Sequence, residues 1–176
     1  TALGMPVGAN QGPLITGVSL SDLDGDGLPE VVASGGSAGP LLYRRSASNA
    51  PYALVPGAFT VASGASEVAG HTVFDMDGDG DLDVFFAKGT RPLLFENRSG
   101  VFVDVSERRL PLNAGQTISA TAADLDGDGD LDLVVARYID RADFPLHLCL
   151  SNQVFENDGS GRFRDVTAGT GFSAVK

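Results

Sequence analysis

The stretch Asp124-Leu125-Asp126-Gly127-Asp128-Gly129-Asp130-Leu131-Asp132 gathers five carboxylates into nine residues. At an effective dielectric of about 20, two unit charges 4 Å apart repel by roughly 4 kcal/mol, so carboxylates folded into one turn need a counter-charge. A hard divalent cation supplies it. Calcium takes about 6–8 oxygen ligands from a flexible loop, whereas magnesium demands a near-ideal octahedron and keeps its waters. Glycine at the fourth and sixth positions permits the tight backbone path that lets alternate carboxylates converge.

Two earlier stretches carry the same pattern. They are Asp22-Leu23-Asp24-Gly25-Asp26-Gly27-Leu28-Pro29-Glu30 and Asp75-Met76-Asp77-Gly78-Asp79-Gly80-Asp81-Leu82-Asp83. The loops begin at residues 22, 75 and 124, a spacing of about 50 residues that suits a four-stranded propeller blade and is too long for a nonapeptide calcium solenoid. Asp-Gly is also a strong hairpin signal without any metal, and that plainer reading stands beside the metal-binding one.

Strands are expected on both sides of each loop. In the first repeat they are residues 15–20, 31–33, 40–44 and 52–55; in the second, 71–74, 84–87, 92–96 and 101–104; in the third, 118–122, 133–136, 154–156 and 162–166. Phe95-Glu96-Asn97 recurs as Phe155-Glu156-Asn157, and Asp104-Val105-Ser106 as Asp165-Val166-Thr167, so whole units repeat. No amphipathic helix is expected. The fold class is all-β, with propeller-type blades of four antiparallel strands and three repeats visible. Residues 1–13 read as an entry segment and 14–167 as three blades (about 14–60, 68–108 and 117–167). Residues 137–152 form an insertion in the third blade, and 168–176 a tail.

The composition agrees with a folded domain: 176 residues are 43% hydrophobic, with mean hydropathy +0.06. Net charge is −11, yet 14 of the 23 acidic residues lie in the three loops, which places the acidity at sites rather than over the surface. Three divalent cations would offset more than half of it. With 12 Lys and Arg and no basic run, the chain offers nothing to nucleic acid or an anionic membrane. Cys149 is the only cysteine, which rules out an intrachain disulfide and a Cys-rich metal site. No apolar run approaches the ~18 residues of a membrane span, and Thr1 begins no recognisable signal peptide, so a soluble chain, mature or trimmed, is expected. Cytosolic calcium is scarce, and calcium loops of extracellular modules bind with dissociation constants of roughly 10⁻⁴–10⁻³ M. A periplasmic, secreted or cell-surface location is therefore expected.

The three Asp-x-Asp-Gly-Asp-Gly loops, each followed by an apolar strand and then by the Leu-Phe-Glu-Asn and Phe-x-Asp-Val endings, resemble the FG-GAP/VCBS repeats of integrin α-subunit propellers and many bacterial secreted proteins. The resemblance covers residues from about 14 to 167. The third repeat, with Ala136-Arg137-Tyr138-Ile139-Asp140, a Cys-containing insertion and Asn152-Gln153-Val154-Phe155-Glu156-Asn157-Asp158-Gly159, resembles the ASPIC/UnbV and cartilage acidic protein branch. The resemblance implies up to three calcium ions, held by side chains at positions 1, 3, 5 and 9 and by the carbonyl at position 7. These are Asp22, Asp24, Asp26, Leu28 (carbonyl) and Glu30; Asp75, Asp77, Asp79, Asp81 (carbonyl) and Asp83; and Asp124, Asp126, Asp128, Asp130 (carbonyl) and Asp132. The first loop departs from the pattern, with Leu28-Pro29-Glu30 in place of Asp-Leu-Asp. An EF-hand would need an acid at position 12, where Ala33, Phe86 and Val135 stand instead.

Other polar residues carry plainer readings. His71 is expected at a strand start rather than as a ligand. His147 and Cys149 share the insertion but have too few partners for a metal site. No Ser-His-Asp or Cys-His arrangement can be assembled from two histidines, and the acid/base candidates are already committed to the loops, so no catalytic residue is expected. The insertion either covers a neighbouring blade or binds a partner. Phe102, Phe155 and Phe163 are expected in blade packing.

Closed propellers typically have about 4–8 blades, and three repeats leave open ends that something must cover. The chain is therefore expected to be a fragment, to self-associate, or to lie against a protein partner, including one within a membrane complex. The functional expectation is a calcium-stabilised extracytoplasmic protein-interaction module or accessory subunit. The alternatives are a lectin-like carbohydrate binder, or part of a polysaccharide-active enzyme. The absence of Trp and the presence of only three Tyr weigh against sugar-stacking platforms.

Overall fold

The computed structural model describes residues 17–34, 39–60, 68–89, 91–111, 116–138 and 151–172. The entry segment 1–13, most of the insertion, and with it His147 and Cys149, lie outside the described residues. Among the described residues twelve strands form three antiparallel four-stranded sheets in which sequence neighbours are also sheet neighbours. The first blade contains β1 (Gly17–Ser21), β2 (Glu30–Ser34), β3 (Leu41–Arg44) and β4 (Ala53–Leu54). The second contains β5 (His71–Phe74), β6 (Asp83–Phe86), β7 (Leu93–Arg98) and β8 (Val101–Asp104), and the third β9 (Thr117–Ala123), β10 (Asp132–Arg137), β11 (Gln153–Asn157) and β12 (Phe163–Asp165). The expected strands are present, displaced by a residue or two at most of their ends.

Two elements were not expected. Single-turn helices α1 (Ser106–Arg109) and α2 (Thr167–Thr170) follow the outer strands of blades 2 and 3. Four residues are barely one turn, too short to display a 3.6-residue period, so no hydrophobic pattern announces them.

Adjacent blades pack face to face, with β5 beside both β1 and β9. Among the described residues β1 and β9 do not pack together in this way, and the array is open. Blade 2 is covered on both faces, which is why all four residues of β6 are buried. Toward blade 1 it presents Val84, Phe86 and Phe95, which meet Leu23, Val32, Leu42, Phe59 and Val68. Toward blade 3 it presents Phe74, Met76, Phe85, Leu94 and Val105, which meet Leu133, Val135, Phe155 and Phe163. Burying each large apolar side chain contributes about 1.5–3 kcal/mol, so these two interfaces are the core of the molecule. Phe102, Phe155 and Phe163 all pack there, as expected.

Polar bonds fix how the blades meet. The Asn97 amide donates to the Leu23 carbonyl of blade 1 (2.7 Å) and to Leu82 of its own blade (3.0 Å). Asn157 repeats this one blade on, donating to Met76 of blade 2 (2.7 Å) and to Leu131 (3.1 Å). Each side-chain oxygen accepts from its own turn, at the Gly100 and Gly161 amides. Gly161 leaves the room this latch needs, because a Cβ there would strike Met76 and Arg109. His71 ties blade 1 to blade 2. Ser34 Oγ donates to the Ala69 carbonyl (2.8 Å), so it accepts from His71 Nδ1 (2.9 Å), leaving Nε2 to accept from Ser19 Oγ (2.8 Å). This arrangement selects the neutral Nδ1–H tautomer, and burial lowers the pKa of the ring.

Candidate metal centres

Each Asp-rich loop joins the first two strands of a blade and is folded by its own carboxylates. In the third loop Asp124 accepts from Gly127 (2.7 Å) and Gly129 (3.2 Å) through its two oxygens. Both glycines take positive φ, +85° and +98°, a conformation that disfavours side chains. The first two loops repeat this pattern, with Asp22 accepting from Gly25 and Gly27 and Asp75 from Gly78 and Gly80. Position 5 caps the next turn, Asp26 accepting from Leu28, Asp79 from Asp81 and Asp128 from Asp130. The glycine requirement read from the sequence is thus met in the backbone.

The ninth position closes the loop from the strand. Asp83, buried, accepts from Met76 (2.8 Å) and Asn97 (2.7 Å); Asp132, also buried, accepts from Leu125 (3.0 Å) and Asn157 (2.8 Å). The same carboxylate therefore holds the loop and the backbone of the latch asparagine. In the first loop Glu30 accepts from Leu23 (2.8 Å), so its longer side chain performs the same closure in place of the shorter aspartate.

Three carboxylates of each loop offer ligand atoms within 4.8 Å of one another: Asp22, Asp24 and Glu30; Asp75, Asp77 and Asp83; Asp124, Asp126 and Asp128. Positions 1 and 3 converge in all three loops. Position 9 completes the set in the first two and position 5 in the third. Asp26, Asp79 and Asp132 lie outside these sets, and Asp81 turns its side chain to the Ser99 amide (2.7 Å).

The electrostatics fit a hard cation. Burial first, and the charges of Asp77 and Asp79 after it, push Asp83 up to about 7 against the two backbone donors that oppose the shift. Burial likewise raises Glu30. Asp77 Oδ1 is buried without a hydrogen-bond partner among the described residues, and Glu30 Oε1 is buried with only the Arg44 guanidinium facing it, at 3.7 Å. Orphaned carboxylate oxygens in an all-oxygen donor set are what calcium would satisfy.

Two arginines, invisible to a reading of the loops alone, flank two of these sites. Arg44 Nε lies 3.0 Å from Asp24 and 3.7 Å from Glu30. Arg109, from α1, lies 3.1 Å from Asp77 and 3.2 Å from Glu96, and donates to the Ser160 carbonyl of blade 3 (2.7 Å). In the third blade the residue aligned with Arg109 is Thr170, and no ion pair to Asp126 is found among the described residues. The signal for Arg109 was its place in the Ser-Glu-Arg-Arg turn after the outer strand, but nothing local says which loop it reaches.

An FG-GAP-like repeat description matches residues 22–86 and, overlapping them, 75–135. No curated protein matches the chain. Among solved structures it is similar to a lectin from Agrocybe aegerita, described as recognising non-reducing terminal N-acetylglucosamine, with 21% identity and a TM-score of 0.50. The alignment takes in 92% of this chain and 42% of that lectin, so the chain spans less than half of the lectin's length. At that identity the similarity concerns the fold.

Proposed function

The chain belongs to the FG-GAP-like repeat family, and from that premise we propose that it is a calcium-stabilised, extracytoplasmic protein-interaction module, acting as an accessory subunit of a larger assembly. The observation that supports this most is the convergence of three carboxylates in each of three loops, all at the strand turns. Bound calcium would supply charge neutralisation. The chain's own residues close the loops and hold the blades. In the proposed ligand sets, positions 1, 3, 5 and 9 and the position-7 carbonyl surround each ion. The finer affinities of the third repeat with the VCBS and ASPIC/UnbV branches, and a periplasmic, secreted or cell-surface location, belong to the same proposal. No described helix is long and apolar enough to cross a membrane.

The module is read as non-catalytic. Interaction is favoured by apolar side chains left at both open ends, Val18 and Leu20 (each 61% exposed) on β1 and Leu125 on the third loop. A carbohydrate-binding role is the second reading, supported by the lectin of similar fold. Among the described residues, however, Tyr138 and Phe172 are the only large exposed aromatics.

Calorimetric titration of the metal-stripped chain with calcium is expected to give saturable binding of up to three ions, with one site lost in Asp124→Asn. Absence of binding would remove the calcium part. Native mass measurement after isolation from the source is expected to find the chain bound to further protein, and an isolated monomer would remove the interaction part.

A further inference from the structure

We infer that Arg44 and Arg109 are resident counter-charges that hold the first and second loops folded without a cation. The third loop has none, and is therefore the tightest calcium site of the chain and the one whose fold depends on the ion. The inference rests on the calcium part of the proposed function and deepens it by ranking the three loops.

The two guanidiniums reach the same place by different routes. Arg44 sits on β3, at the position that Glu96 and Glu156 hold in the other blades, and its Nε lies 3.0 Å from Asp24 Oδ2. Arg109 comes from α1, and its Nη1 lies 3.1 Å from Asp77 Oδ2. Asp24 and Asp77 each stand third in their loops. Both guanidiniums also border the turn of the following blade, where a Cβ on Gly100 would lie 3.5 Å from Arg44 and one on Gly161 would strike Arg109. Unrelated sequence positions thus deliver one positive charge to one carboxylate. The side chains of Asp24 and Asp77 are only 17% and 15% exposed, so solvent screens these pairs less than it would a surface pair. Arg109 takes only Oδ2 of Asp77, and Oδ1 is buried without a hydrogen-bond partner among the described residues. The guanidinium therefore compensates the carboxylate and leaves its second oxygen for a cation.

Blade 3 lacks both routes. Glu156 stands at the Arg44 position and is engaged by Arg164 of its own blade, Thr170 stands at the Arg109 position, and among the described residues no ion pair reaches Asp126. The converging carboxylates differ accordingly. Asp124, Asp126 and Asp128 are all exposed, whereas the sets of the first two loops each include a buried ninth-position acid, Glu30 or Asp83. Carboxylates gathered without a fixed positive charge repel one another until an ion is bound. A guanidinium already in place relieves that repulsion and opposes an arriving dication, and a group that favours the empty form weakens binding to it by linkage.

The test is residue-resolved amide exchange of the full chain in saturating calcium and in excess EDTA. All three loops carry equivalent reporters, the amides bonded to the first- and fifth-position carboxylates: Gly25, Gly27 and Leu28 in the first loop, and their counterparts in the other two. Removing calcium is expected to speed exchange at Gly127, Gly129 and Asp130 by about tenfold or more, and at the other two sets by less than about threefold. Arg109→Gln should make the second loop respond as the third does, and Arg109→Lys, which keeps the charge, should restore most of its insensitivity. A purely structural role for Arg109 would change exchange equally with and without calcium. Thr170, Asp126 and Glu156 line one cleft, so Thr170→Arg puts a guanidinium within reach of the carboxylates equivalent to Asp77 and Glu96 and should reduce the response of the third loop. In calorimetry the site lost in Asp124→Asn should be the tightest, by about tenfold over the others. No response in any loop would remove the calcium reading and this inference with it. Equal responses in all three loops, a second loop unmoved by Arg109→Gln, a lysine that behaves as the glutamine does, or a third loop unmoved by Thr170→Arg would overturn the counter-charge assignment while the calcium reading stands.

Discussion

Met76 and Leu125 hold the same place in successive loops, follow the same aspartate and donate to the same ninth-position carboxylate, yet one is buried and the other half exposed. Local sequence builds both turns alike. The next blade decides what each is worth. A blade of this kind is a unit of local structure but not of stability, because its apolar face is completed only by its successor's Phe and Asn.

The largest contrast should appear on truncation. Met76→Ala is expected to cost about 2–4 kcal/mol in denaturant unfolding, and Leu125→Ala less than about 1 kcal/mol. Equal costs would show that the two faces are equally packed. Next comes the latch. Asn157→Ala leaves the Met76 and Leu131 carbonyls without their buried donor, an expected loss of about 2–3 kcal/mol in the same assay. A loss below about 0.5 kcal/mol would show that apolar packing alone joins blades 2 and 3.

The second loop also responds to pH. Without cation, Asp83 titrates at about 7 in the folded chain against an ordinary 3.8, so the folded state keeps a proton that the unfolded state has released. Its contribution is most favourable at or below pH about 4 and is lost as pH rises from there through about 7. The melting temperature of the metal-stripped chain should accordingly fall across that window at this group's expense, and Asp83→Asn should flatten the slope. Saturating calcium, which favours the ionised carboxylate, should flatten it too. An identical slope in wild type and Asp83→Asn would assign the pH dependence elsewhere.

Much of this was legible in the sequence because its determinants are short in range. Alternating aspartates with glycine at positions 4 and 6 specify a turn, and the apolar runs on either side specify its strands. The repetition of Phe-Glu-Asn was visible as well, but its purpose was not, since Asn97 and Asn157 act on carbonyls far away in the chain. Arg44 and Arg109 were missed for the same reason. The expectation for His71 caught its place at the start of β5 but not its bond to Ser19 of the neighbouring blade. The helices α1 and α2 escaped because one turn carries no period. Within the expected ligand sets, the carboxylates that meet in the fold are Asp22, Asp24 and Glu30, Asp75, Asp77 and Asp83, and Asp124, Asp126 and Asp128.

The most direct test of the central claim is a thermal melt of the full chain in saturating calcium and in excess EDTA. With free calcium at ten times the dissociation constant each occupied loop adds about 1.4 kcal/mol, so three loops give roughly 4 kcal/mol, a large share of a typical net stability of about 5–15 kcal/mol. The account predicts a melting temperature well below the calcium-bound value once the metal is removed, recovered on adding calcium back. Superimposable melting curves in the two conditions would contradict it.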